Sequence, residues 1–210
     1  MTISIFRHAE STANIGMPVD QADTIPLSER GYQQAHKLSL SFNAETAPQL
    51  IITSPYIRTH MTAAPTMARF PSVPHEVWPI HEFNYLSDVK HRGSTWSSRA
   101  PEAAAYWLRN DPDYVDGEGA ESCNQLIGRV DHFIDKANKL PADQNIAVFS
   151  HSLFMLAVFL RMTRPELNGA ELMRVIHESK GIIQFPNTAC MQLRRNFDGK
   201  LAPAFSVPAA

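Results

Sequence analysis

With 210 residues, 44% of them hydrophobic and 19% charged, the chain has the make-up of a globular protein, long enough for one substantial core or one core with an inserted cap. A formal net charge of −2 with no dense Lys/Arg block gives no support for a nucleic-acid partner, so an anionic ligand would have to be drawn by a local arginine cluster. No apolar run approaches the ~18 residues of a membrane span. Arg7-His8 also interrupts the amino terminus before a signal-peptide core can form, so a cytoplasmic location away from the membrane is expected. The two cysteines, Cys123 and Cys190, make no CxxC and no metal-ligand spacing, and read as small buried or half-buried apolar residues.

Ile3 to Phe6 alternates like a strand and runs directly into Arg7-His8, placing both side chains at the carboxyl edge of a sheet. Gly16 to Pro26 is a loop, Ser28 is a good N-cap, and Tyr32 to Phe42 carries Ala35, Leu38 and Phe42 on one helical face. Leu50 to Thr53 is a short apolar run fit for a buried strand. Ser54 then caps a helix begun by Pro55, with Arg58 in its first turn. A helix amino terminus beside an arginine is a ready anion site.

Val73 to Ile80 reads as another strand, delivering His81-Glu82 to the same edge. From about 83 to 120 aromatic residues mix with charges and turn formers, with one helix near Pro101 to Arg109. This stretch reads as a cap excursion over the sheet edge within a single domain spanning 1–210. Glu121-Ser122 opens an amphipathic helix with Leu126, Val130, Phe133, Ile134 and Ala137 at core spacing. Ile146 to Phe149 is a buried strand ending in Ser150-His151-Ser152, followed by a buried helix from Leu153 to Leu160. Ile182 to Phe185 and Thr188 to Leu193 read as late strands separated by a Pro186-Asn187 turn, and the tail from Pro203 as poorly ordered. Short apolar runs alternating with amphipathic helices predict a three-layer α/β/α sandwich with a mostly parallel sheet.

In such a sheet Arg7, His8, Arg58, Glu82 and His151 converge on one pocket. The set suits phosphoryl transfer, which depends mostly on positioning and charge stabilisation. Arginines and one histidine can hold the phosphoryl oxygens while the other imidazole attacks phosphorus, and a carboxyl group can serve the leaving oxygen.

Four segments, in order, resemble the histidine phosphatase superfamily in its phosphoglycerate-mutase-like branch. They are Arg7-His8-Ala9-Glu10 with Ser11 and Asn14 following, Leu27-Ser28-Glu29-Arg30-Gly31, Ser54 to Ala63 with Arg58-Thr59 and Thr62-Ala63 inside it, and Val148-Phe149-Ser150-His151-Ser152. The resemblance implies His8 as the phosphorylated nucleophile, Arg7, Arg58 and His151 as the phosphate pocket, and Glu82 as the general acid. Asn14 and Ser11 are further substrate contacts on the same ground. It implies no metal and no cofactor, and a small phosphorylated metabolite as substrate. Two departures stand out. Ala9 and Ser152 replace glycines of the family pattern, where an added Cβ could narrow the phosphate pocket.

His36, His60, His75, His132 and His177 read as surface or half-buried. Trp96, Trp107 and Tyr85 could line the pocket mouth or form a small core of the cap, and Lys90-His91-Arg92 reads as a solvated loop. Three functions compete: a phosphomonoester hydrolase, a phosphoglycerate mutase, and a phospho-ligand-binding module. The hydrolase leads, because the 83–120 insert lacks the basic run a bisphosphate-binding mutase needs, and a binder has no use for Glu82 as a proton donor.

Overall fold

The computed structural model describes residues 2–204. Six strands, β1 (Thr2–Arg7), β2 (Leu50–Thr53), β3 (His75–Val77), β4 (Asn145–Ser150), β5 (Cys190–Arg195) and β6 (Leu201–Ala204), form one sheet in the order β3-β2-β4-β1-β5-β6. The four strands from β3 to β1 are parallel, and β5 and β6 continue the sheet antiparallel. The helices are α1 (Glu29–Leu40), α2 (Ile57–Arg69), α3 (Ala100–Arg109), α4 (Cys123–Asn138), α5 (Ser152–Thr163) and α6 (Gly169–Ser179).

Strand alternation sorts the core into two layers. Ile3, Ile5, Leu50, Ile52, Ile146 and Val148 face the larger core, with α3 to α6. Phe6, Ile51, Ala147 and Phe149 face the other way, onto Leu38, Phe42 and Ala63 of the α1–α2 side. Helix α5 is buried almost all round, through Phe154, Met155, Leu156, Ala157, Val158 and Leu160. The chain therefore leaves neighbouring β1 and β4 for opposite faces of the sheet. That divergence opens a crevice at their carboxyl ends, the place where open α/β sheets bind ligands.

Several elements differ from the sequence expectation. The run from Val73 to Ile80 keeps only the three exposed residues of β3 in the ladder, because Pro74 and Pro79 bracket it and cannot donate. The α2 helix starts two residues after Pro55, capped by Tyr56, although the Ser54 hydroxyl still accepts the Tyr56 N–H at 3.1 Å. Ile182 to Phe185 is not a strand: Ile182 and Ile183 both donate to the Ser179 carbonyl, continuing the turn out of α6. Thr188 adopts a left-handed φ of 64°, so the late strand begins only at Cys190. Helix α6 lies where no element was expected; its start is fixed by Asn168, which accepts the Glu171 N–H while Glu171 bonds back. Pro203 sits in β6, and the tail beyond 204 lies outside the described residues. Cys123 is buried as expected, whereas Cys190 is exposed.

Residues 83–120 share the main core. Phe83, Tyr85, Tyr106 and Trp107 all belong to it, with Tyr85 and Tyr106 rings 4.8 Å apart. No helix among the described residues is long and apolar enough to cross a membrane.

Candidate active site

His8 follows β1 directly. Its backbone N–H extends the β1–β4 ladder by donating to the Ser150 carbonyl at 2.9 Å, and its side chain is 3% exposed. The imidazole Nδ1 lies 2.7 Å from the Ala9 carbonyl. A carbonyl only accepts, so Nδ1 carries the proton and the neutral ring keeps its lone pair on Nε2. Burial, and then the charges of Arg58 and Arg7, hold His8 well below the ordinary histidine range. The ring is thus held neutral, with Nε2 bonded to nothing among the described residues.

His151 ends β4 as His8 ends β1, and caps α5. The two rings face each other at 5.1 Å between centroids. The Ser54 hydroxyl lies 2.7 Å from His151 Nε2, and Nδ1 is buried without a partner among the described residues. Burial and the nearby charge of Arg58 push this histidine down as well.

Arg7 is anchored by donating to the Phe185 carbonyl at 2.8 Å, and its Nε has no hydrogen-bond partner among the described residues. Arg58 lies over the Tyr56 ring and donates to the Ala22 carbonyl. Burial lowers Arg58 to about 10, with Glu82 opposing the shift, so it stays cationic at neutral pH. Glu82 reaches the edge through the irregular Trp78-Pro79-Ile80 segment instead of a strand. That segment is pinned by the Ser150 hydroxyl donating to the Ile80 carbonyl at 2.7 Å. Glu82 Oε1 accepts from the N–H groups of Phe83, Leu153 and Phe154 at 3.1, 3.0 and 3.3 Å, leaving Oε2 without a hydrogen bond among the described residues. Glu82 therefore covers the amino terminus of α5, where a carboxylate is stabilised by the helix dipole.

Asn14 carries a committed carbonyl. Its Oδ1 accepts from the Ser11 N–H and hydroxyl and from Asn187 Nδ2, at 3.0, 3.1 and 3.2 Å, which leaves the Asn14 amide N–H groups as its donors. Asn187 Nδ2 also lies 3.0 Å from the His8 carbonyl. Asn187 escaped sequence reading because nothing in a Pro-Asn turn marks it as more than a turn. Ser54 was read as a helix cap and a motif residue, and Thr62 only as part of a family motif. Thr62 accepts, at 3.0 Å, the N–H of Ala9, the residue whose carbonyl holds His8 Nδ1.

The two departures are absorbed. Ala9 is fully buried, and its methyl packs with Leu27, Ala35 and Met61, away from the cavity. Ser152 is the first residue of α5, and neither residue has a positive φ. Leu27 to Gly31 supports the motif from behind. The Ser28 hydroxyl donates to Glu10 at 2.7 Å, and a Cβ at Gly31 would lie 2.0 Å from the Glu10 carbonyl oxygen.

A cavity of about 590 Å³ opens over the edge, with Arg7, His8, Ser11, Asn14, Arg58 and Glu82 in its wall. His151 lies behind that wall, beside His8. Tyr85 and Trp96 line the cavity, whereas Trp107 does not; it stacks on His177 at 5.3 Å. Arg99 and Lys180 also line it, and sequence reading singled out neither. Lys90 and His91 pair with Asp116 outside the cavity. The other five histidines are exposed or half-buried, and no group of three or more metal-ligating side chains occurs among the described residues.

The α/β sandwich thus brings two arginines, two histidines and a glutamate together at the crevice between β1 and β4. The chain belongs to the histidine phosphatase superfamily, branch 1, whose family model matches residues 3–196. It is 27% identical over 175 residues to phosphoserine phosphatase 1 of Hydrogenobacter thermophilus, covering 78% of this chain and 77% of that protein. It is 25% identical to a metal-independent phosphoserine phosphatase of Arabidopsis thaliana, across 96% of this chain and 89% of that one. Among solved structures, a putative α-ribazole-5′-P phosphatase from Escherichia coli has the same fold. That match has a TM-score of 0.74 at 20% identity, over 97% of this chain and 94% of the other.

Proposed function

We propose that this chain hydrolyses a small phosphorylated metabolite in the cytoplasm, through a covalent phosphohistidine on His8. The observation that carries the reading is the 2.7 Å bond from His8 Nδ1 to the Ala9 carbonyl, which leaves the Nε2 lone pair beside Arg7 and Arg58 at the cavity wall. The phosphatase names of the relatives support the hydrolytic outcome.

In the first half-reaction His8 Nε2 attacks phosphorus and the P–O ester bond breaks. The guanidinium groups of Arg7 and Arg58 balance the phosphoryl charge, and His151 Nδ1 offers a further contact once protonated or in its Nδ1–H tautomer. Glu82, entering as the carboxylic acid, transfers its proton from Oε2 to the departing oxygen. In the second half-reaction the Glu82 carboxylate takes a proton from water as that water attacks the phosphoramidate. The P–N bond breaks, phosphate leaves, and both His8 and Glu82 return to their starting protonation states. Asn14 and Ser11 sit where they can contact the phosphoryl group or the leaving group. A mutase finds less support, because Lys90 and His91 are spent on Asp116 instead of lining the cavity.

The test is turnover of p-nitrophenyl phosphate in EDTA, with rapid quenching of a ³²P-labelled substrate. Undiminished hydrolysis and an acid-labile, base-stable label on His8 are expected. Activity lost to the chelator and restored by zinc or magnesium, or a label on serine, would sink the mechanism.

A further inference from the structure

The segment between α6 and β5 wraps the end of β1. Its Phe185 carbonyl accepts from the Arg7 guanidinium at 2.8 Å. The Thr188 N–H donates to the Arg7 carbonyl at 3.1 Å, and the Arg7 N–H donates to the Ala189 carbonyl at 3.0 Å. Thr188, at a φ of 64°, stands in the left-handed region that a β-branched residue disfavours. Strained residues of this kind persist where surrounding bonds over-determine them, and they cluster at functional sites. Here the bonds that hold the segment run to Arg7 and to its neighbour His8.

Asn187 occupies the middle of the segment and is half-buried. An amide nitrogen carries two hydrogens, and Asn187 Nδ2 has an acceptor for each, the His8 carbonyl at 3.0 Å and Asn14 Oδ1 at 3.2 Å. The polarity of both amides follows from main-chain groups that have no choice. The His8 carbonyl only accepts, so Asn187 meets it with nitrogen. The Ser11 N–H only donates, at 3.0 Å to Asn14 Oδ1, and Asn187 Nδ2 donates to that same oxygen. Asn14 Nδ2 is thereby turned away from both, and it donates to nothing among the described residues. Asn14 lines the cavity together with Arg7, His8 and Ser11. The His8–Ala9 peptide is meanwhile held at both ends, its carbonyl by Asn187 and its N–H by Thr62 at 3.0 Å.

We infer that Asn187 is a positioning residue, which holds the Asn14 amide with its N–H donors toward a phosphoryl group on the His8 side of the cavity. This rests on the hydrolase reading above and extends it to a residue outside the cavity wall. An amide fills the same space in either orientation, but an anion gains only from the N–H face and is repelled by the carbonyl face. Asn187 makes the useful orientation the one in which every partner is satisfied. A carboxylate at 187 would reverse this, because it has acceptors alone to set against the His8 carbonyl and Asn14 Oδ1. The Asn14 amide then satisfies the carboxylate only by turning over, which presents its oxygen to the anion.

Inorganic phosphate is the probe, titrated calorimetrically into wild-type and Asn14→Ala proteins, each with and without Asn187→Ala or Asn187→Asp. With Asn14 present, Asn187→Ala should weaken phosphate binding about 3–10-fold, as for one hydrogen bond, and Asn187→Asp about 10–100-fold. In the Asn14→Ala background Asn187→Ala should add less than about twofold, because coupled residues are non-additive. Asn187→Asp should there lose most of its excess over Asn187→Ala, a signature that a merely structural role would not give. KM for p-nitrophenyl phosphate should follow phosphate affinity across the set, with kcat changed less. Losses from Asn187→Ala and Asn14→Ala that simply multiply would overturn the inference. So would an Asn187→Asp excess that survives without Asn14, since that is plain charge repulsion. The titration involves no turnover, so the inference stands or fails apart from the phosphohistidine mechanism, which the ³²P label tests.

Discussion

His8 and His151 face each other at 5.1 Å across the carboxyl ends of adjacent parallel strands, and the surroundings of the two rings are not alike. His8 spends Nδ1 on a carbonyl and keeps a free Nε2; His151 spends Nε2 on a hydroxyl and keeps a free Nδ1. A carbonyl dictates a tautomer, whereas a serine hydroxyl can donate or accept. His8 is therefore locked in the tautomer that the proposed nucleophile needs, whereas His151 can switch tautomer or take up a proton, as the proposed phosphoryl contact requires.

Different variants should separate these roles. His8→Ala should lose turnover by about 10⁴–10⁶-fold, as when a covalent nucleophile is deleted. Arg7, Arg58 and His151 remain to hold phosphate, so inorganic phosphate should still protect the variant from thermal unfolding. Turnover near the wild-type rate would remove His8 from the nucleophile role.

Acid should destabilise the free protein earlier than carboxylate titration alone predicts. His8 and His151 are held well below 6.5, and burial with the Arg129 and Arg58 charges lowers His81 to about 4. Below pH 6.5 the unfolded chain takes up protons that the folded chain refuses, so stability rises with pH in that window and falls on acidification toward pH 4. The slope is ~1.4 kcal/mol per pH unit for each fully buried histidine. Phosphate should blunt the fall, because a dianion favours protonated His151. Denaturant midpoints between pH 7 and 5, with and without phosphate, measure both effects. A midpoint that does not move between pH 7 and 5.5 would contradict neutral burial of the pair.

Arg7, His8, Arg58 and His151 were legible because each sits at a boundary the local sequence marks, the end of an apolar run or the start of a helix. Glu82 was found by its place in the chain, but for the wrong local reason: Pro79 breaks the strand that was expected to carry it. Asn187, Arg99 and Lys180 were not legible. Their importance comes from segments more than 90 residues apart or from cap packing, as in the Asn187 bond to the His8 carbonyl. Helix α6 was not read from the sequence, although Asn168 and Glu171 spell its capping box and Leu172, Met173 and Ile176 its buried face.

Glu82→Gln keeps an oxygen for the α5 N–H groups but removes the transferable proton. Hydrolysis of alkyl phosphates should fall by about 10²–10⁴-fold. That of p-nitrophenyl phosphate should fall far less, because nitrophenolate leaves without protonation. Measured on purified variants, equal losses on both esters would take Glu82 out of the acid role.

Arg129 braces the segment that leads into Glu82. From α4 it pairs with Glu121 through two nitrogens and donates with the third to the Pro79 and His81 carbonyls, at 2.9 and 3.1 Å, on the segment leading into Glu82. Both partners' side chains are 14% exposed, so breaking the pair strands a largely buried carboxylate. Arg129→Met should cost about 2 kcal/mol of stability, below the full value for a completely buried pair. Its kinetic signature should copy Glu82→Gln, with alkyl esters hit harder than aryl ones, since Arg129 acts through the carboxyl group it positions. In a Glu82→Gln background the same change should therefore add little to the alkyl-ester loss, as coupled residues are non-additive. Rate losses that simply multiply in the double variant would make Arg129 a purely structural residue and leave Glu82 positioned by the α5 N–H groups alone.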